Sequence, residues 1–190
     1  MPPTASLKEL QRRIALYDDE AAYKELFFSF YKPLLQFAQS FVRSPEMAKE
    51  IVSDVFIIIW ERRRTLEEID NIKVYLYVTS KNTSLKYLLK QQKQVAITID
   101  ELAVELKSTY TNPEELMVTA EMRARIDQAI NQLPPRCKII FKLIKEDGLR
   151  YKEVSEILNV SVKTIDNQLA IALRKIGNTI NINLRKVVRF

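Results

Sequence analysis

Apolar residues recur at helical spacing along most of the chain, in runs that short polar breaks divide. The stretch from Tyr151 to Ile176 contains two such stripes, separated by the three residues Asn159, Val160 and Ser161. Asparagine tolerates the left-handed backbone that ends a helix, and a serine hydroxyl accepts from the free amides that begin the next one. The pattern therefore predicts two helices that meet at a tight corner, a helix-turn-helix. The stripes comprise Val154, Ile157 and Leu158, then Ile165, Leu169, Ala172, Leu173 and Ile176.

The second helix of this motif has a polar face opposite its apolar stripe. Its centre consists of Lys163, Asn167, Ala170 and Arg174, with Thr164, Gln168, Ile171 and Lys175 beside it and Ser161 at its start. Such a helix can enter the major groove, with its early residues on base edges and its basic residues on phosphates. We therefore expect these residues, Ala170 excepted, to contact duplex DNA. The alternative is an ordinary helical corner with a solvated polar face.

The N-terminal half shows four further helical patterns. They cover residues 6–17, about 20–42, 45–64 and 72–93, with a polar loop over 66–73. Asp18 and Asp19 offer caps for the second helix, in which Pro33 predicts a kink. Ser44 followed by Pro45 is typical of the first residues of a helix.

The third of these patterns is apolar nearly all the way round. Its remaining side mixes acidic and apolar residues, which suits a protein partner better than DNA. A helix buried in the centre of the domain, with a solvated acidic edge, is the alternative. The candidate partner surface comprises Glu50, Ser53, Asp54, Ile57 and Trp60.

The fourth pattern alternates aromatic and aliphatic residues with lysines and amides. Aromatic side chains stack on unpaired bases while lysines contact the backbone, so this helix and the loop before it are a candidate single-strand site. A solvated lysine face explains the pattern equally well. The candidate residues are Asn71, Lys73, Tyr75, Lys81, Asn82, Ser84, Lys86 and Tyr87.

The helical pattern is interrupted in the middle of the chain. Residues 94–120 hold one basic and five acidic residues, whereas fourteen basic and seven acidic residues follow from Glu121 onward. We expect an all-α protein with two small helical domains, residues 1–93 and 114–190, joined by a flexible acidic linker over 94–113. In the second domain, helices are predicted over 113–133 and 136–145, before the motif described above, with Gly148 ending the latter. The basic tail from Asn178 is a candidate extension of the last helix.

The amino-acid composition favours some classes of function and argues against others. The net charge is +6 with a sequence pI near 9.3, which is compatible with a polyanionic partner. There is no histidine, two glycines and one cysteine, Cys137, which we expect to be a packing residue. These counts argue against a histidine base, a glycine-rich phosphate loop and a metal cluster, so we expect no enzyme activity, no cofactor and no metal. No stretch is apolar enough for a signal peptide or a membrane span, and the predicted location is the cytoplasm without membrane insertion.

The order of the segments resembles one family. The run LPPRCKIIFKLIKEDGLRYKEVSEILNVSVKTIDNQLAIALRKI is similar to the fourth region of bacterial sigma-70 initiation factors. AKEIVSDVFIIIWERR followed by NIKVYLYVTSKNTSLKYLL is similar to their second region. Because no third domain separates them, the layout resembles that of the extracytoplasmic-function (ECF) group. The chain departs from the family at Ser155, where a small alanine is common, and at Asn159, where a glycine is frequent.

The resemblance implies a role for each candidate surface. It implies core RNA polymerase, promoter DNA and an anti-sigma protein as partners, with Glu50, Ser53, Asp54 and Ile57 docking on the clamp helices of the polymerase largest subunit. It places the Asn71–Tyr87 residues at the proximal promoter element, which is melted, and the Lys163–Arg174 residues at the distal element, which is read as duplex. The linker would run toward the RNA exit path. The alternative function is a stand-alone helix-turn-helix regulator, and a helical enzyme or adaptor lacks any polar constellation to support it.

Overall fold

The part of the chain that the structure describes is all-helical, as the sequence predicts. A computed structural model describes residues 5–42, 44–92 and 120–187, and in this part of the chain it contains helices and no strand. Contacts divide the chain into two compact units, one that contains α1–α4 and one that contains α5–α8. The helices are α1 (Leu7–Tyr17), α2 (Glu20–Gln39), α3 (Pro45–Glu61), α4 (Ile72–Gln92), α5 (Ala120–Asn131), α6 (Pro135–Phe141), α7 (Tyr151–Leu158) and α8 (Val162–Val187).

Side-chain caps fix where the N-terminal helices begin. The Ser6 hydroxyl accepts from the amide of Glu9 at 3.2 Å, and the Asp19 carboxylate accepts from the amide of Ala22 at 3.0 Å. Ser44 caps α3, with the proline at the first helical position as predicted. Each of these bonds satisfies an amide that has no partner inside its own helix.

Aromatic side chains of α2 hold the N-terminal unit together. Phe37 packs against Tyr77 of α4 with ring centroids 5.1 Å apart, and Phe27 packs against Phe56 of α3 at 4.7 Å. The Tyr23 hydroxyl donates to the backbone carbonyl of Phe56 at 2.7 Å. Aromatic side chains of α2 therefore belong to the core of this unit, and α2 continues through Pro33.

The segment after α3 corrects one prediction. Residues 66–73 were expected to form a polar loop, but Arg63–Glu68 form a 3₁₀ helix and α4 begins at Ile72. Leu66 is fully buried, because this short helix packs against α1. A single apolar residue among charged neighbours gives no periodic signal, so the sequence pattern missed the element.

In the C-terminal unit, α5, α6 and α8 share one apolar cluster. Its buried members are Ala129, Ile130, Leu133, Cys137, Ala172 and Ile176. Cys137 is therefore a packing residue, as expected, and its burial raises the pKa of the thiol. A π-helical turn, Lys142–Glu146, continues α6, and Gly148 ends it in the left-handed conformation at φ +63. The predicted linker over 94–113 and the start of the helix predicted from 113 lie outside the described residues.

The last helix is longer than the motif required. The backbone of α8 continues to Val187, which confirms the predicted extension beyond Asn178. Within the described ranges, no helix combines the length and apolarity that crossing a bilayer demands.

Candidate nucleic-acid interface

The turn between α7 and α8 is fixed by three local features. Asn159 has the predicted left-handed backbone, with φ 54. The Ser155 hydroxyl donates across the turn to the carbonyl of Val160 at 2.5 Å, so the serine at this position fastens the corner. Ser161 caps α8 by accepting from the amide of Thr164 at 3.0 Å, and the two hydroxyls lie 2.8 Å apart. The predicted helix-turn-helix is therefore present, with Ser161 engaged as a cap.

The outer face of α8 presents a row of polar and basic side chains. Lys163, Asn167, Arg174 and Lys175 are exposed, and Ile171 is about one-third exposed. Lys163, Asn167, Ile171 and Arg174 recur every three or four residues, so they lie on one side of the helix, and Lys175 directly follows Arg174. The geometry brings the predicted readout residues together, and their contact with DNA stays a prediction.

Gln168 differs from its neighbours, because its side-chain carbonyl oxygen is already engaged. It accepts from the Cys137 thiol of α6 at 2.9 Å, and the residue is half-buried. The amide NH₂ of Gln168 would then be the group that donates to a base acceptor.

Leu173 was predicted to lie in the apolar stripe of α8, and this was wrong. Its side chain is 46% exposed, although Leu169 and Ile176 on either side of it are buried. The cluster formed with α5 and α6 includes Ala172 and Ile176 but not Leu173. A helical stripe wider than the surface it packs against leaves one edge in solvent.

Two buried lysines were missed by the sequence pattern. Lys142 is 1% exposed, and its ammonium lies 2.9 Å from a carboxylate oxygen of Asp147 and 3.6 Å from one of Glu146. Lys138 donates to the backbone carbonyl of Asn131 at 2.7 Å. Burial of such cations requires paired charges and hydrogen bonds, which the acidic Glu146–Asp147 pair supplies beside Lys142. The only sequence signal for the burial of Lys142 was the nearby EDG sequence, which contains its two acidic partners.

We expect Lys142→Met to destabilise the C-terminal unit by about 1–3 kcal/mol near neutral pH, because two largely buried carboxylates lose their cation. Burial raises the pKa of Glu146 and the Lys142 ammonium opposes that rise, so the pKa increases further in the variant. A carboxyl with a raised folded-state pKa stabilises the fold below its unfolded pKa and loses that contribution as the pH rises through the folded value. The loss of stability in Lys142→Met should therefore be smaller near pH 4.5 than near pH 7. The lower pH lies close to the unfolded pKa of a glutamate, about 4.3, where the raised folded-state pKa still stabilises the fold.

Thermal unfolding at the two pH values measures this effect, with Lys145→Met as the matched control. Lys145 is exposed, so the same change there should alter the stability by less than about 0.5 kcal/mol. Equal stability of Lys142→Met and wild type at neutral pH would contradict a stabilising ion cluster.

In the N-terminal unit, three predicted DNA contacts lie at the start of α4. The Asn71 side-chain oxygen accepts from the amide of Val74 at 3.2 Å and so caps the helix. Lys73 and Tyr75 are half-buried. Further along α4, Asn82 and Lys86 are exposed and Lys81 is half-buried, which lowers the pKa of its ammonium.

Ser84 was predicted to contact DNA, and this was wrong for the fold described. The residue is fully buried, and its hydroxyl donates to the carbonyl of Ser80 at 2.8 Å. The hydrogen bond to the preceding turn satisfies the hydroxyl, so Ser84 can face the core. From the sequence alone, this polar residue was expected at the surface.

A hydrogen bond between Tyr87 and Asp54 connects the predicted single-strand site on α4 with the predicted partner surface on α3. The phenol hydroxyl donates to the carboxylate at 2.7 Å, so α4 is fastened to α3. This bond, with the negative charge of Asp54, raises the pKa of Tyr87 to about 12. The hydroxyl is thus a neutral donor held by Asp54, and only the ring face of Tyr87 remains for stacking.

The exposed side of α3 carries the predicted partner surface. Glu50, Ser53 and Ile57 are exposed, and Ile57 presents 54% of its surface to solvent. Trp60 is half-buried, with its ring 4.8 Å from that of Tyr23 and 4.6 Å from the Arg63 guanidinium. A groove of about 770 Å³ runs beside this surface, lined by Glu20, Ala21, Tyr23, Lys24, Ile57, Trp60 and Glu61. In the described ranges, no group of His, Cys, Asp and Glu side chains is arranged to hold a metal ion.

Two family models match the chain, and together they cover more than half of it. Residues 26–94 match region 2 of sigma-70, and residues 123–176 match region 4 of sigma-70. The chain therefore belongs to the sigma-70 family of promoter-recognising transcription initiation factors. Among curated proteins, it is 24% identical over 159 residues to the ECF RNA polymerase sigma-E factor of Escherichia coli K12, covering 80% of this chain and 82% of that one. Within the family it falls in the ECF group.

A second curated relative agrees with this placement, and two solved structures share the fold. The ECF sigma factor SigM of Bacillus subtilis is 20% identical over 137 residues, which is 72% of this chain and 82% of SigM. CnrH, solved with the cytosolic domain of CnrY, has the same fold with a TM-score of 0.57 and 18% identity, over 92% of this chain and 97% of CnrH. RpoE of Bartonella quintana, solved with the anti-sigma factor NepR, matches with a TM-score of 0.56 and 18% identity, over 84% and 97% of the two chains.

Proposed function

We propose that this initiation factor divides promoter recognition between its two units. The outer face of α8 reads the distal element as duplex, and the surface from Asn71 along α4 holds the opened strand of the proximal element. The exposed face of α3 docks on core RNA polymerase, on the clamp helices of the largest subunit. The factor acts in the cytoplasm and performs no covalent chemistry, since opening draws on the binding free energy of the flipped bases.

The observation that carries this proposal is the exposed face of α8. Helix α8 is capped at its start, follows the turn that the Ser155 hydroxyl holds, and presents lysine, asparagine and arginine side chains in one row. These are the requirements of a helix that reads bases in the major groove. The row contains only a few cations, so its affinity for DNA alone is expected to be low. Delivery by polymerase raises the effective concentration of this unit at the promoter, which compensates for weak intrinsic binding.

An anti-sigma protein is a further proposed partner. The support is the fold shared with CnrH and RpoE, whose structures contain such partners or a cytosolic domain. The groove beside α3 and the exposed Ile57 offer apolar surface that polymerase and such an inhibitor would both exclude from water.

Reconstituted transcription tests the proposed function. Core polymerase supplied with the purified protein should start transcription at defined sites on genomic DNA, and the mapped start sites should share two upstream elements. Core polymerase alone provides the baseline. The free protein should bind the same fragments far more weakly than the holoenzyme does.

The same experiment discriminates against a stand-alone helix-turn-helix regulator. A regulator of that kind binds a symmetric operator tightly without polymerase and leaves start-site selection by core polymerase unchanged. Tight binding by the free protein, together with no specific start sites, would replace the proposed function by this alternative.

A further inference from the structure

Helix α1 lies before the region 2 match, which begins at Leu26. One side of α1 packs against the 3₁₀ helix Arg63–Glu68, and Leu10, Ile14 and Leu66 are fully buried. This short helix leads directly into Asn71 and the proposed single-strand surface. The role of α1 is therefore tied to the segment between α3 and α4.

The contact between these elements contains a buried glutamine. Gln11 is 5% exposed, and its side-chain amide donates to the carbonyls of Leu66 and Ile69, the latter at 2.6 Å. Both carbonyls lie at the end of the 3₁₀ helix, where the chain turns toward Asn71. A single amide therefore uses both of its hydrogens to fix the path of the backbone at this point.

A second connection holds the beginning of the same segment. The Asp18 carboxylate, at the residue that caps the end of α1, bonds the Arg63 guanidinium. Arg63 also donates to the carbonyl of Trp60 at 2.9 Å and lies over the indole ring. Both ends of the 63–69 segment are thus attached to α1 or to its C-terminal residue.

We propose that Gln11, assisted by Asp18, is a positioning residue for promoter opening. By holding the 63–69 segment, α1 presents Asn71, Lys73 and Tyr75 in one geometry before DNA arrives. A preordered surface does not lose conformational entropy when it captures a flipped base, so more of its interaction energy is retained as affinity. This inference rests on the proposed role of the Asn71–Tyr87 surface.

Gln11→Met tests the inference, since methionine keeps the length of the side chain and removes both donors. With the holoenzyme on a promoter mapped for the wild type, we expect open complexes to fall about tenfold, because two buried hydrogen bonds that order a segment are lost. Permanganate reactivity of unpaired thymines measures open complexes, and circular dichroism below the unfolding transition establishes that the variant is folded. Affinity for core polymerase should stay within about twofold, since the proposed docking residues on α3 are untouched.

Two further variants complete the experiment. Asp18→Asn keeps a residue suited to the left-handed backbone at φ 49 and removes the charge that holds Arg63, so a smaller decrease in opening is expected without loss of folding. Arg12→Met places the same new side chain on the exposed side of α1 and should open the promoter as wild type does.

The outcomes separate this inference from the proposed function. If wild-type holoenzyme opens no promoter, the proposed function fails. If wild type opens promoters and both Gln11→Met and Asp18→Asn open them equally well, the positioning role is wrong. If Gln11→Met does not fold, Asp18→Asn alone decides.

Discussion

Replacing Ile57 by glutamate should weaken binding to core RNA polymerase at least about thirtyfold, the effect of losing an interface hot spot of 2 kcal/mol or more. The side chain is 54% exposed in the free protein and lies on the same side of α3 as the acidic Glu50. A partner that covers this face would bury the apolar side chain, whereas glutamate would place an unpaired charge there. The substitution removes few contacts inside the domain, so the fold should be retained.

Leu16 offers a matched control on the same unit. It is 50% exposed on α1, which contributes no residue to the proposed docking face, and Leu16→Glu introduces the same charge in place of a similar side chain. Fluorescence anisotropy of labelled protein titrated with core polymerase measures both affinities. Core binding by Ile57→Glu within twofold of wild type would show that polymerase docks elsewhere.

Features with a local cause were predictable from the sequence. The starts of α2, α3 and α8 follow from Asp19, Ser44 and Ser161, whose side chains bond amides only three residues away. The corner at Asn159 depends on one residue that tolerates a left-handed backbone. Such signals need no knowledge of the tertiary structure, so the helix-turn-helix could be located before the fold was known.

Features that depend on which side chains find a partner in the folded protein were not predictable. The burial of Leu66 depends on α1, more than fifty residues earlier, and that of Lys142 depends on paired carboxylates in a turn. Ser84 misled the pattern because its hydroxyl bonds the preceding turn of its own helix. Periodicity reports which side chains are apolar, but it does not report which polar side chains find a partner in the core.

The bond between Tyr87 and Asp54 changes how variants in this unit should be interpreted. Asp54 was predicted to dock on polymerase and Tyr87 to contact the opened strand, yet the two groups are joined at 2.7 Å. A substitution at Asp54 removes the acceptor of this bond and lets the pKa of Tyr87 fall from about 12 toward its ordinary value. Loss of promoter opening in an Asp54 variant is therefore not evidence for docking alone, and for this reason Ile57 gives the cleaner test of the interface.

Substituting Lys163, Asn167 and Gln168 together by alanine should reduce transcription from the mapped promoters at least about a hundredfold, since each good base contact contributes about 1–3 kcal/mol. Lys163 and Asn167 are exposed near the start of α8, where a major-groove helix meets base edges. Gln168 would contribute through its amide NH₂, since its carbonyl oxygen accepts from the Cys137 thiol. Run-off transcription on wild-type promoters and on promoters with single substitutions in the distal element measures the loss of activity and of preference.

Arg174→Ala separates base readout from phosphate binding. Arg174 is exposed two turns further along α8, so its loss should weaken all promoters alike and reduce the slope of log affinity against log salt by about one. The triple variant should instead lose discrimination between distal-element sequences while it binds core polymerase as wild type does, because its substitutions lie in the other unit from Ile57. A triple variant that keeps both its activity and its sequence preference would show that another surface reads the distal element, and the proposed division of labour between the two units would then be wrong.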